Sequence, residues 1–267
     1  MPTIPQRRAP VARRLLRAPV VRSERTSAHF VTLTLGGDEL ADFVPLGFDQ
    51  CCRLFFPREG QAELRLPTAS NTRWFAQYLL MSTQSRPWVR NYTVRAFRPA
   101  AAELDIEFAV HDDGGPATRF ALRAGPGDEV GILDEGITFL PPENGTQLLV
   151  ADESAVPAAL AVLESSPAEL RATVLLEVGA PEDVHPVEAP AGADVRWLVR
   201  EDDRRPGLLA LGALAELDLA DPPAYTWVAG ESGLATGARR FLTRERGVPK
   251  SAIAFFGYWK HGRSGFG

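Results

Sequence analysis

Hydrophobic and polar positions alternate in short runs through the first half of the chain. Phe30-Val31-Thr32-Leu33-Thr34-Leu35 reads as a strand closed by Gly36-Gly37, because a period of two puts one set of side chains on a buried face. Arg53–Phe56 stops at Pro57, Tyr92–Phe97 and Leu104–Val110 flank a turn over Arg98–Ala102, and Asp128–Ile132 follows Gly125-Pro126-Gly127. Val20 and Val21 run directly into this set, so the arginine-rich start reads as a basic first strand rather than a removable leader. Short strands punctuated in this way predict a small closed antiparallel barrel.

After about Gly136 the rhythm changes. Pro141–Gly145 reads as a linker, Gln147–Ala151 as a short buried strand, and Ala155–Leu163 as the helix that follows it. Thr173–Val178, Val195–Val199, Thr226–Ala229 and Ile253–Phe256 repeat the strand signal. Leu208, Leu211, Leu214 and Leu217 share a helical face, as do Leu234, Ala238, Phe241 and Leu242 before Gly247 and Pro249. Strands alternating with helices predict a parallel α/β sheet whose ligands sit beyond the strand carboxyl ends. The expected organisation is therefore β followed by α/β, with domains over 1–140 and 141–267.

Composition narrows the function classes. A chain of 267 residues, 45% apolar and 24% charged, suits two modest folded domains. No apolar run approaches the roughly 18 residues of a membrane span, so no membrane insertion is expected. The net charge of −5 argues against a nucleic-acid partner. Cys51 and Cys52 are too few for a zinc or iron–sulfur site, which needs about four ligands. As neighbours they are also too close for an unstrained disulfide. They read as reduced strand residues, which points to a reducing, cytoplasmic setting and no metal site.

Three stretches carry candidate chemistry. In Arg90-Asn91-Tyr92-Thr93, alternation puts Arg90 and Tyr92 on one strand face, where a guanidinium can bind a phosphate beside an aromatic surface. Taken alone, the same pattern also describes a solvated strand face. His111-Asp112-Asp113-Gly114-Gly115-Pro116-Ala117-Thr118 combines small residues that let backbone N–H groups approach an anion with Thr118, a candidate cap for a helix over Arg119–Arg123. On its own it also suits a hairpin loop that needs glycine. The third stretch, Gly257-Tyr258-Trp259-Lys260-His261-Gly262-Arg263, follows the last strand with an aromatic and a basic cluster.

Together, Arg-x-Tyr-Thr and the downstream His-x-x-Gly-Gly-Pro-Ala-Thr resemble the flavin site of the ferredoxin-reductase-like superfamily. With Ala151-Asp152-Glu153-Ser154-Ala155-x-Pro157-Ala158 and the late Gly-Tyr-Trp-Lys-x-Gly, the chain resembles the siderophore-interacting protein family of FAD-dependent ferric-siderophore reductases. The likeness spans nearly the whole chain. It implies a six-stranded antiparallel β-barrel that binds flavin, followed by a Rossmann-like parallel α/β sheet. FAD would be held by Arg90, Tyr92, Thr93, Val110, His111, Asp113, Gly115, Pro116, Ala117 and Thr118. Asp152, Glu153 and Ser154, with Arg200, would face NAD(P)H, the electron donor; Glu231 would bind cofactor as well, and Trp259 would lie near the flavin and keep that face dry. Lys260 and Arg263 would dock an anionic ferric siderophore.

Arg200 is open between a 2′-phosphate ligand and a solvated charge run, which leaves NADH against NADPH undecided. No Gly-x-Gly-x-x-Gly follows Gln147–Ala151, which suits a nicotinamide nucleotide that visits and leaves. The flavin carries the chemistry, so no catalytic acid–base pair is assigned, and a monomer is expected. Two alternatives remain. One is another flavin reductase of the superfamily passing electrons to a protein or quinone. The other is a non-catalytic flavin-containing siderophore carrier.

Overall fold

The computed structural model describes residues 6–110, 114–200, 205–219 and 221–262. They form two compact units. One is built from Ala9–Leu46 and Gln50–Ile137, and the other from Thr138 onward together with Gly47–Asp49.

In the first unit, β1 (Leu15–Arg25), β2 (Phe30–Leu35), β3 (Cys51–Phe56), β4 (Trp88–Thr93), β5 (Ala96–Arg98), β6 (Glu103–Ala109) and β7 (Glu129–Gly136) make one sheet. Its order is β4-β3-β7-β1-β2-β6-β5, and the paired strands are antiparallel. The count is seven strands where six were expected, because the run Tyr92–Phe97 divides. Val94 N–H donates to the Gln50 carbonyl at 2.8 Å, whereas the next residue, Arg95, donates to the Asp105 carbonyl at 2.9 Å. A single stretch of chain therefore occupies both edges of a curled sheet. The Tyr92 ring packs on Phe108 of β6, with centroids 4.3 Å apart. Leu33, Leu54, Phe56, Leu104, Ile106 and Ile132 fill the interior of the curl.

Among the described residues, two α-helices pack on this sheet. α1 (Arg73–Leu80) was not anticipated. It has only eight residues, and its one side-chain cap is Asn71 Oδ1 accepting from Arg73 N–H at 2.9 Å, so its local signal is weak; burial of Trp74 and Tyr78 against Phe55 and Leu133 holds it. α2 ends at Arg123 as expected but starts at Pro116, three residues earlier than expected. Thr118 is therefore a first-turn residue, and the N-cap position falls to Gly115, without a side-chain bond. Proline at the first helical position explains the early start, since its fixed φ suits the helix and no N–H is lost. Phe120 stacks on Phe56 at 4.9 Å and docks α2 on the core.

The second unit contains β8 (Gln147–Ala151), α3 (Val156–Ser165), β9 (Ala172–Val178), β10 (Ala193–Val199), α4 (Leu208–Glu216), β11 (Tyr225–Glu231), α5 (Ser232–Glu245) and β12 (Ile253–Trp259). The strands are parallel in the order β10-β9-β8-β11-β12. Strand order reverses beside β8, so the crevice between the carboxyl ends of β8 and β11 is the switch point at which such sheets bind ligands. Asp49 joins this unit through its side chain: one carboxylate oxygen accepts from Thr138 N–H and Phe139 N–H at 2.9 and 2.8 Å, and the other from Trp227 Nε1 at 3.3 Å. Among the described residues, no helix is long and apolar enough to cross a membrane.

Candidate functional site

In the first unit, β4 places Trp88, Arg90 and Tyr92 on one face at period two. Tyr92 is packed into the core, and burial pushes its phenol well above the usual range. Arg90 is half-buried, and its Nη1 donates to the Val89 carbonyl at 2.8 Å. Burial lowers its pKa, and the neighbouring Arg58 charge acts in the same direction.

Both guanidiniums flank one indole. Arg58 lies 3.8 Å and Arg90 5.3 Å from the Trp88 ring centroid. Arg58 and Trp88 were missed in the sequence reading. The available signal was Trp88 two residues before Arg90 on the same strand face, and Arg58 directly after the Pro57 strand end.

α2 packs nearby on β2, β4 and β6. Glu59, next to Arg58, accepts from Arg119 of α2 at 2.6 Å. Gly114 adopts a left-handed φ of 59° before the helix, and a Cβ at Gly115 would meet none of the described residues within 4 Å. The leading N–H groups of α2 have no side-chain cap among the described residues. Thr93 and Val110 are buried, and Ala117 packs against the core. His111 and Asp113 lie outside the described residues.

At the switch point of the second unit, the expected residues do meet, but mainly with each other. Asp152 is fully buried; Oδ1 accepts from Ser154 N–H and Oγ–H at 3.0 and 2.6 Å, and Oδ2 from Glu231 N–H. Gly230 makes this possible. It holds φ at 135°, and a Cβ there would sit 2.5 Å from the Asp152 carboxylate. Glu231 in turn caps α5 through Gly233 N–H and accepts from Arg205 at 2.8 Å and His261 N–H at 3.2 Å. Although burial pushes the Glu231 carboxyl up, these donors hold it below its ordinary value.

Arg200 is not on a solvated face: it is buried in ion pairs. Its side chain is 11% exposed and donates to Glu153 at 2.9 and 3.0 Å and to Glu177 at 2.7 Å. Burial pulls its pKa down, and the two carboxylates more than reverse that. Glu177, also missed, accepts from Gly207 N–H and Ala210 N–H at 2.8 Å each, so it ties the start of α4 to β9. The available signal was an acid inside the apolar run Val174-Leu175-Leu176-Glu177-Val178. Trp259 ends β12, and its carbonyl accepts from Ser232 Oγ at 2.7 Å. Lys260 is exposed beside it, while Arg263 lies outside the described residues. No group of three His, Cys, Asp or Glu side chains among the described residues is placed to hold a metal ion.

Burial, with Glu153 adjacent, pushes the Asp152 carboxyl from its usual 3.8 up to about 7. Between those values the unfolded chain has lost a proton that the folded chain keeps. The contribution of Asp152 to stability therefore falls as pH rises through that window. Urea midpoints measured across it are expected to decline less steeply in Asp152→Asn than in the parent chain. Matching pH slopes would remove this assignment.

Two family profiles match the chain: "Siderophore-interacting FAD-binding domain" over residues 19–138 and "Siderophore-interacting protein" over residues 145–262. The Vibrio cholerae protein named ferric vibriobactin reductase ViuB is 30% identical over 248 residues, covering 91% of this chain and 89% of its own. The Escherichia coli K12 protein named NADPH-dependent ferric-chelate reductase is 30% identical, covering 90% and 91%. The crystal structure of a siderophore utilization protein from T. fusca superposes with a TM-score of 0.83 at 32% identity, covering 98% of this chain and 99% of that one.

Proposed function

Because the chain belongs to the siderophore-interacting protein family, we propose that it is an FAD-dependent NAD(P)H:ferric-siderophore oxidoreductase. What supports this reading is the pair of guanidiniums, Arg58 and Arg90, over Trp88, together with the uncapped first turn of α2, inside the segment that matches the FAD-binding profile.

These residues fit an FAD diphosphate: two planar guanidiniums supply forked donors, and the leading N–H groups of α2 add more. When bound, FAD accepts two electrons as hydride and passes them singly to Fe(III), the substrate metal. Arg90 and Arg58 neutralise the phosphates, Trp88 keeps both guanidiniums in place, and Tyr92 with Thr93 shapes the adjoining wall. Val110, Gly115, Pro116, Ala117 and Thr118 line the phosphate end, and the expected contacts of His111 and Asp113 belong to the same proposal. In the second unit, Asp152, Glu153, Glu231 and Arg200 are positioning residues. Their bonds hold the β8–α3 turn in shape, leaving Ser154 and Trp259 to meet NAD(P)H. Fe(II) binds hard oxygen donors less tightly than Fe(III), so reduction loosens the chelate without any protein ligand to the iron.

Anaerobic spectra test the reading. NADH or NADPH is expected to bleach the flavin band near roughly 450 nm, and a ferric siderophore to restore it with release of Fe(II). A band that stays unbleached by either nucleotide, or a larger kcat/KM for a quinone than for the chelate, overturns it. Lys260 and Arg263 are the proposed docking cations for an anionic chelate. Lys260→Ala is expected to raise KM for an anionic chelate roughly 3- to 10-fold, consistent with a partly exposed charge contact, and to leave a neutral chelate unchanged. Equal effects on both would take charge recognition away from Lys260.

A further inference from the structure

Between Glu63 and Glu103 the chain carries six arginines and no acidic residue, although its net charge is −5. α1 lies in that stretch. Its inner face is anchored: Trp74 and Tyr78 are buried, Tyr78 Oη donates to the Pro87 carbonyl at 3.1 Å, and Gln77 Oε1 accepts from Thr68 and Ala69 N–H at 3.0 and 2.9 Å. Its outer face is apolar. Phe75 is 51%, Leu79 51% and Leu80 86% exposed. Phe75 and Leu79, four residues apart, sit side by side on the helix. A fixed helix that presents three large apolar side chains to water is an interaction surface rather than a frayed end.

The surroundings identify what covers it. Arg73 is exposed at the first residue of α1, Arg65 is exposed in the preceding loop, and the Arg86 guanidinium lies 5.5 Å from the Tyr78 ring. The Arg53 guanidinium, 5.0 Å from the Trp74 ring, is paired with Glu135 at 2.7 Å and is no part of this positive rim. Two copies meeting through this face would bring arginine against arginine, which costs free energy. An anionic bilayer offers an acyl boundary for the apolar residues and phosphates for the cations.

We propose that α1 docks this protein on an anionic lipid surface, with Phe75, Leu79 and Leu80 entering the headgroup–acyl boundary and Arg65 and Arg73 meeting lipid phosphates. The contact is peripheral and needs no membrane-crossing helix. It is also independent of the reductase reading.

Co-sedimentation of the full chain with vesicles of phosphatidylcholine alone, or mixed with phosphatidylglycerol, tests it. The bound fraction is expected to be about fivefold or more higher on the mixed vesicles and to fall as salt screens the arginines. Phe75→Glu with Leu79→Glu is expected to abolish binding while near-UV circular dichroism and bound-flavin absorbance stay those of the parent. Leu80→Glu alone gives a milder second variant, expected to weaken binding without touching the inner face. Equal binding to both vesicle types, binding unchanged in both variants, or a concentration-dependent dimer that the double variant abolishes would overturn the proposal.

Discussion

Purified Arg90→Ala is expected to be nearly colourless, with its Kd for FAD raised about 10- to 100-fold. A charge-assisted hydrogen-bond set contributes about 1.5–3 kcal/mol, and each 1.4 kcal/mol is roughly a factor of ten. Arg90 is already partly desolvated and shares the Trp88 indole with Arg58. A bound diphosphate relieves the repulsion between the two cations. Arg58→Ala is expected to weaken FAD binding less, by about 3- to 10-fold, since its Nε is already committed to the Arg86 carbonyl at 2.7 Å. Arg90→Lys separates charge from geometry: a lysine keeps the charge and loses the fork, so it recovers only part of the affinity. Titration of flavin fluorescence reads all three. A Kd for Arg90→Ala within about threefold of the parent removes this residue from the cofactor seat.

Glu177→Ala has the largest expected effect on stability. The carboxylate is fully buried and serves Arg200, Gly207 N–H and Ala210 N–H together. Removing it leaves two α4 donors unsatisfied and Arg200 held by Glu153 alone. Breaking a buried pair in this way costs about 3–5 kcal/mol, or roughly 10 °C in the melting transition of the parallel-sheet unit. FAD affinity is expected to hold, because the proposed seat belongs to the other unit. Glu177→Leu combined with Arg200→Leu is expected to cost less than the sum of the single changes, since no lone charge is left behind. A transition within about 1 °C of the parent in Glu177→Ala would show that the network carries little of the fold's stability.

The sequence by itself determined the two-part plan. Alternation at period two marked β2 and β6, and the apolar run stopping at Pro57 marked β3. The switch to apolar strands with helical stretches after Gly136 marked the parallel sheet, whose first strand, Gln147–Ala151, is observed with the predicted bounds. These features are legible because they repeat along the chain, and burial of one face is a local demand. Partner choice is not local. Whether Tyr92–Phe97 continues as one strand depends on which backbone groups, Gln50 or Asp105, lie beside Val94 and Arg95, and residues far off in sequence settle that.

The same holds for the charges. A lone arginine at a strand end reads equally well as a phosphate ligand or a solvated side chain. Only the approach of Glu153 and Glu177 made Arg200 a buried ion pair. α1 is helical because Trp74 and Tyr78 find Phe55 and Leu133, not because its eight residues favour a helix unaided. Backbone periodicity is set residue by residue, whereas hydrogen-bond and ion-pair partners are set by whatever packing brings within about 3 Å, and that distance exists only in the folded chain.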